Sequence, residues 1–488
     1  MFDNLFASSE EWNGKIYSGG WIEPGSGTSR VLEKATGAEL ATIGIASADD
    51  VAHAAAAAGV AQAEWAKVPG PERGNVLRRF SELVTEHSAL ITDQMIRETG
   101  AARAKAEWEV RMTAREILEA AALGSEPTGV LLATAEPRHS VARRIPVGVV
   151  GVITPWNSPL LLAARAVGPA LVTGNAVLLK PDVQTPVVGG VLFARLFEDA
   201  GLPADLLHVL PGAVEAGQAV VRDPGVHMVS FTGSTRAGRD VGSVAGGLLK
   251  RVSLELGGNN PYVVLADADV ERAASAGAWS SFFHQGQICL TAGRHVVHES
   301  IADAYTEAIV RHAKGITVGD PFTDNVQLGP LINERQAQRA DKIVADSISQ
   351  GARLLTGGSR NGLFFEPSVM SGVLPGMAVF DEEIFAPVAA ITTFSTDAEG
   401  IALANSTTYG LGASVISNDL AHAQRVADQI HSGIVHINDQ MTLHEVYGPI
   451  GGVGSSGNGF NHGTLTNADQ YTEWQWFSSR PEVPDYPF

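Results

Sequence analysis

The chain has 488 residues, 45% of them hydrophobic and 18% charged, with a formal net charge of −19 at pH 7. That length is too great for one hydrophobic core, so two or three domains are expected. An acidic chain without clustered Lys and Arg excludes a nucleic-acid partner, because phosphate neutralisation needs such clusters.

The opening MFDNLFASSEEW has no basic region followed by an apolar run, so no secretory signal is read there. The Ala-rich stretch from Asp49 to Ala66 predicts a helix, with Ser47 and Asp50 at capping-box spacing. Gly70 and Pro71 break it, and a second amphipathic helix is expected to run to about Glu98. From 141 to 266, the runs VGVVGVI, AVLLK, LLHVL, MVSF and PYVVL alternate with helix-like stretches. That alternation predicts βαβ units and a parallel sheet. The apolar run at 147–153 is too short to span a bilayer and Arg165 interrupts the next one, so no membrane association is expected. A second alternating stretch, about 289 to 437, predicts a second α/β domain. No internal repeat, low-complexity segment or long linker is visible.

Cys289 is the only cysteine, in FFHQGQICLTAGR. It can form neither an intramolecular disulfide nor a multi-cysteine metal site. It is either an inert buried thiol or a nucleophile. Gly286 and Gly293 flank a polar, amide-bearing turn around it, an unusual setting for a core cysteine. Glu255, in VSLELGGNNP, supplies a carboxylate on a separate segment, and the two can meet as base and nucleophile. There is no HExxH and no cysteine pair, so no metal is expected. One cysteine and no signal predict a cytoplasmic location. The GVGSSG at 452–457 fits a dinucleotide-binding expression, but no βαβ unit surrounds it, and it is rejected as one. The stretch Gly233 to Gly238 has P-loop length without the following lysine, so phosphoryl transfer is not supported.

The segments LELGGNNP and FFHQGQICL together resemble the signature of the aldehyde dehydrogenase superfamily. VGVVGVITPWNSP, GNAVLLKPDVQTP, SFTGSTRAG, LGPLIN, EEIFAPV, ANSTTYGL and GPIGGVGSSGNG extend the match through most of the chain. RRIPVGVVGV, HVLPG, HQGQ, VHINDQ and the terminal YPF resemble the benzaldehyde and vanillin dehydrogenase branch. The resemblance implies an α/β fold: a Rossmann-like NAD(P)-binding domain from 1–125 and 147–256, and a second α/β catalytic domain from 257–455. It also implies a small β element from 126–146 and 470–488 that bridges subunits of a homodimer or homotetramer. The implied reaction is NAD-dependent oxidation of a small-molecule aromatic aldehyde to its acid through a cysteine thiohemiacetal and thioester.

On that resemblance Cys289 is the nucleophile, Asn157 with the Cys289 backbone N–H the oxyanion holder, Glu255 the deacylation base and Glu473 a proton relay. Read from residues alone, Asn157 is also an ordinary loop residue between prolines, Glu255 a cap or salt-bridge carboxylate, and Lys180 a solvated strand-end lysine. The cofactor residues implied are Thr154, Trp156, Lys180 on the adenosine ribose, and Gly233 and Ser234 at the pyrophosphate. Leu256, Glu383 on the nicotinamide ribose and Phe385 beside the ring complete the set. Ser158, Leu161, Leu162, Arg165, Phe283, Ile288, Leu290 and Ile450 are the expected pocket.

Three departures from the family pattern matter. Val183 stands where many NAD-specific members carry a ribose-binding glutamate, so NAD is expected with some tolerance of NADP. Ser158 and Ile450 replace phenylalanines, which widens the tunnel. Arg165, seven residues after Ser158, is either a structural salt bridge at a domain contact or a contact for a ring substituent. Terpenoid or aliphatic aldehydes, acyl transfer to coenzyme A and a non-catalytic binding role are the alternatives. Retention of Glu255 argues against coenzyme A, and retention of Cys289, Asn157 and Glu255 together argues against loss of catalysis.

Overall fold

The computed structural model describes residues 9–488. The first eight residues of the 1–125 segment, and most of the stretch searched for a signal, lie outside them. Two seven-stranded sheets organise the chain. In the first, Val149–Ile153, Ala176–Lys180 and Leu207–Val209 follow one another in one direction, while Met228–Thr232 and Arg251–Glu255 lie on the opposite side of Val149–Ile153. These five strands are parallel, and Val149–Ile153 and Ala176–Lys180 are buried along their whole length, which is why their sequences are continuous apolar runs. The order reverses between Val149–Ile153 and Met228–Thr232, and the carboxyl ends flanking such a reversal are where open α/β sheets bind ligands.

The second sheet runs Arg353–Thr356, Ser368–Ser371, Val388–Phe394, Arg294–His298, Pro261–Val264, Gly412–Ile416, Ile434–Ile437. Only its Arg353–Thr356 edge is antiparallel. The PYVVL run therefore belongs here and not with the strands from 141 onward. Adjacency along the chain misleads at this point because the chain crosses between sheets at Leu256–Asn260. The strand Arg251–Glu255 was not among the expected runs; its polar Arg251 and Ser253 hide it. A third sheet pairs Thr472–Ser479 with His139–Pro146 and Gly129–Leu131, joining the segments 126–146 and 470–488.

The first long helix is Ala48–Trp65, and the capping box between Ser47 and Asp50 is formed. The expected second helix is two, Gly70–Glu86 and Ser88–Thr99, because the backbone leaves helical geometry at His87 (φ −98°, ψ 12°). Among the described residues no helix is long and apolar enough to cross a membrane. The GVGSSG segment forms a single tight turn, Gly454–Ser456, with no βαβ unit. The Ser456 carbonyl accepts from Leu256 N–H (2.9 Å), and its hydroxyl donates to the Gly257 carbonyl, which ties the end of Arg251–Glu255 in place.

Candidate active site

Glu255 ends the edge strand of the first sheet, and Cys289 lies in a turn just before Arg294–His298 of the second. The site thus forms between the carboxyl ends of one sheet and the amino ends of the other. Cys289 is partly accessible and unpaired. Its carbonyl accepts from Asn260 Nδ2 at 2.8 Å, and the same amide donates to the Thr291 carbonyl at 2.8 Å. The turn preceding it is strained: His284 (φ 51°, ψ 43°) and Gln285 (φ 56°, ψ 25°) both adopt left-handed backbone. Gln285 Nε2 holds that strain by donating to the carbonyls of Gly100 (2.8 Å) and Pro330 (2.9 Å). Gly286 follows at φ +66°, and a Cβ there would fall 2.3 Å from the Ala386 carbonyl oxygen, so only glycine fits.

Asn157 is buried and Nδ2 donates to the Gln287 carbonyl at 2.9 Å. An amide nitrogen has two hydrogens, so one remains for a substrate oxygen. The Asn157 carbonyl in turn accepts from Lys105 Nζ and His284 Nε2, each at 2.8 Å. Burial, with the Lys105 charge adding to it, holds the His284 ring well below its ordinary pKa, so the ring is neutral and donates through Nε2. Lys105 also pairs with Glu109, both side chains fully buried. Glu109 Oε1 accepts from the first backbone N–H groups of the helix Pro159–Val172, those of Leu160 (3.0 Å) and Leu161 (3.2 Å). None of Lys105, Glu109 and His284 was expected in the site. The only signals were His284 in HQGQ and a Lys–Glu pair at i, i+4 on a helix.

Glu255 is buried, and burial pushes its carboxyl up to about 8, with Arg165 opposing the rise. Its Oε1 has no hydrogen-bond partner among the described residues. Oε2 lies 4.0 Å from Arg165 Nη2. Arg165 thus makes a buried salt bridge where the two sheets meet, one of the two expected readings, and its partner is the Glu255 carboxylate. Burial also pushes the Cys289 thiol up to about 12; Arg165 pulls it down, while Glu383 and Glu255 push it further up. Glu473 does not join this cluster. Thr472 is buried, while Glu473, opposite Ile145, and the rest of the strand are exposed.

The expected cofactor residues gather at the order reversal of the first sheet. Thr154 and Trp156 follow Val149–Ile153, and Thr154 Oγ1 is buried without a partner. Gly233 and Ser234 link Met228–Thr232 to the helix Thr235–Gly247, which Ser234 caps. Lys180 is buried, not solvated, and burial lowers its pKa. Leu256 is buried against Gly238. Glu383 Oε1 accepts from Gly258 N–H (3.1 Å), and burial pushes its carboxyl up to about 7. Trp156 meets Phe385 edge to face at 5.5 Å. An orphaned hydroxyl, exposed helix-start N–H groups and a buried lysine at one switch point fit a dinucleotide. Among the described residues no cluster of metal-binding side chains exists.

Ser158 caps Pro159–Val172 in position only, making no side-chain cap bond, and Leu161 and Leu162 are buried on that helix. Phe283 stacks on Trp279 (4.5 Å) and meets Trp108 edge to face (6.1 Å), an aromatic group the sequence did not single out beyond Phe283. Ile288 is partly exposed beside Cys289. Leu290 is buried, with Cδ2 directed at Gly412 of the second sheet. Ile450 pairs with His462 through two backbone hydrogen bonds of 2.6 and 2.7 Å. A cleft of about 450 Å³ opens beside Phe283 and Trp279, but its lining includes none of Cys289, Asn157 and Glu255.

A thiol, an amide donor and a buried carboxylate brought together beside a dinucleotide-shaped switch point define a site for covalent oxidation of a carbonyl compound. The aldehyde dehydrogenase family model matches residues 21–477, and the chain belongs to that family. It is 47% identical over 484 residues to a vanillin dehydrogenase of an Amycolatopsis species, covering 99% of this chain and 100% of that protein. It is 45% identical over 478 residues to a benzaldehyde dehydrogenase [NAD(+)] of Pseudomonas putida, covering 98% of each. An NAD-dependent aldehyde dehydrogenase from Sinorhizobium meliloti superposes with a TM-score of 0.93 at 35% identity, over 97% of this chain and 96% of that one.

Lys105→Met leaves Glu109 buried and unpaired and removes a donor from the Asn157 carbonyl. The expected result is a stability loss of about 3–5 kcal/mol in urea denaturation, with slower aldehyde oxidation by the folded fraction. An unchanged denaturation midpoint would show that the pair is not a structural tie.

Proposed function

We propose that the protein oxidises aromatic aldehydes of the benzaldehyde and vanillin type to their acids with NAD. The observation that carries the substrate class is end-to-end similarity to a vanillin and a benzaldehyde dehydrogenase at 47% and 45% identity. The buried carboxylate with one unpartnered oxygen supports hydrolysis of the acyl intermediate rather than its transfer to coenzyme A.

In the proposed reaction the Cys289 thiol gives up its proton to solvent, the thiolate sulfur bonds to the aldehyde carbon and the carbonyl π pair moves onto oxygen. Asn157 Nδ2–H and the Cys289 backbone N–H hold that oxyanion, and such a donor contributes about 3 kcal/mol in the transition state. The carbon–hydrogen electron pair leaves as hydride, the carbonyl re-forms, and a thioester remains on Cys289. Bound NAD would supply the hydride acceptor and a cationic ring that favours the thiolate. Lys180, Ser234 and Glu383 would hold it. Glu255 then takes a proton from water, the water oxygen bonds to the acyl carbon, the carbon–sulfur bond breaks, and the acid leaves. Ser158 and Ile450 in place of aromatic side chains support room for a ring, with Phe283 and Leu162 as apolar walls; burial of that ring contributes about 2 kcal/mol.

The nucleotide-binding unit is assigned to 1–125 and 147–256 and the catalytic unit to 257–455. We assign the sheet of 126–146 and 470–488 to subunit bridging in a homodimer or homotetramer. Trp474, Trp476 and Phe477, exposed on its outer strand, support that assignment. A cytoplasmic location belongs to the same reading.

Glu255 works as a base only when deprotonated, and its carboxyl sits at about 8. Turnover of benzaldehyde should therefore rise with pH through about 8 and fall below it. Glu255→Gln should keep a single burst of NADH and lose the steady state. A mutant with a normal steady state would contradict the role.

Val183 is partly exposed in the turn after Lys180, and Asp182 accepts from Gln184 N–H at 2.9 Å. Without a carboxylate at Val183, NADP is tolerated; Val183→Glu should suppress NADP use while retaining NAD use. A wild-type enzyme with no measurable NADP activity would overturn this.

A further inference from the structure

Arg165 is the one charged residue in the fourteen-residue helix Pro159–Val172, every position of which is buried. A buried arginine without a matching function is costly to keep, since removing two charges from water is offset only by good pairing. Its partner is Glu255, at 4.0 Å, with both side chains under a tenth exposed. The pairing is one-sided: Oε2 faces the guanidinium, while Oε1 is buried with no partner.

We propose that Arg165 is a positioning residue for the reaction: its guanidinium anchors one oxygen of Glu255, leaves the other directed to water, and balances the negative charge that Glu255 and Cys289 carry in turn. This rests on the proposed roles of Cys289 and Glu255 and deepens them. The other charged and titratable groups that face this cluster are few. Glu383 faces Cys289 and adds negative charge. His462 packs under Arg165 and is kept neutral by burial and by that guanidinium. Tyr471, whose phenol burial holds protonated, faces Arg165, Glu255 and Glu116. Glu116 is engaged with His444 at 3.1 Å. Among the described residues, Arg165 is the cation that acts on both Glu255 and Cys289. At 4 Å, even with strong screening by the protein, a unit charge changes an ionisation equilibrium about tenfold or more.

The test uses Arg165→Met and Arg165→Lys in the full chain, with two readouts. Cys289 is the sole thiol, so the rate of its alkylation by iodoacetamide against pH reports that one group. The second readout is the pH dependence of kcat with benzaldehyde and NAD. In Arg165→Met the kcat midpoint should move up by about one pH unit or more, so that near neutral pH turnover falls about tenfold while its alkaline limb approaches wild type; alkylation of Cys289, followed between about pH 7 and about 10, should be slower by about tenfold. Arg165→Lys, which keeps the charge, should restore most of the shift. If Arg165→Met does not fold, Arg165→Gln carries the same expectation. A turnover midpoint and an alkylation rate equal to wild type, a turnover loss equal at all pH values, or a loss confined to ring-substituted aldehydes would overturn the proposal. Alkylation does not depend on aldehyde turnover, so the two readings fail separately: turnover that survives Cys289→Ala would sink the reaction itself, not the role of Arg165.

Discussion

The site depends on one main-chain oxygen. The Asn157 carbonyl is held by Lys105 from the helix Arg103–Ala122 and by His284 from the turn that leads to Cys289. Lys105 is neutralised by Glu109, whose other oxygen accepts from the start of the helix that carries Arg165. The Cys289 turn, Asn157 and the Arg165 helix are therefore tied through a single buried pair. In a low-dielectric interior such a network is favourable to the extent that its members are satisfied, and among the described residues His284 Nδ1 and Gln285 Oε1 are buried without a partner. The left-handed residues His284 and Gln285 persist because these bonds over-determine the turn.

Placing the cysteine and the carboxylate on different sheets has a chemical consequence. Glu255 is fixed by backbone pairing at the end of a strand, and Cys289 is fixed by Asn260 on the far side of the sheet crossing. Each is rigid within its own layer. Burial then sets the chemistry: it raises both Glu255 and Cys289, and one guanidinium opposes both shifts. A carboxylate poised near 8 suits a base that must take a proton from water and release it again.

Motifs made the candidate groups legible in the sequence, because Cys289, Glu255 and Asn157 sit in short segments that match the family's signature. The strands at 149–153 and 176–180 were legible because parallel strands buried on both faces are continuous apolar runs. What was not legible depends on contacts across long separations. Lys105 meets Asn157 over 52 positions and His284 meets it over 127, and neither pairing leaves a local pattern. The strand Pro261–Val264 looked like a continuation of the preceding strands because a change of sheet needs no break in periodicity. Glu473 is legible only as a motif match, and the strand that carries it is exposed from Glu473 onward. Arg165 was noticed as odd in an apolar helix, yet only the fold shows that Glu255 is what it faces.

The central claim is that Cys289 carries the acyl group and that Glu255 removes it. The most direct measurement is mass spectrometry of Glu255→Gln protein mixed with benzaldehyde and NAD and digested under acid. The account predicts one benzoyl group on the peptide containing Cys289, absent when NAD is omitted and absent in wild type after turnover. An unmodified Cys289 peptide alongside a stoichiometric burst of NADH would contradict it.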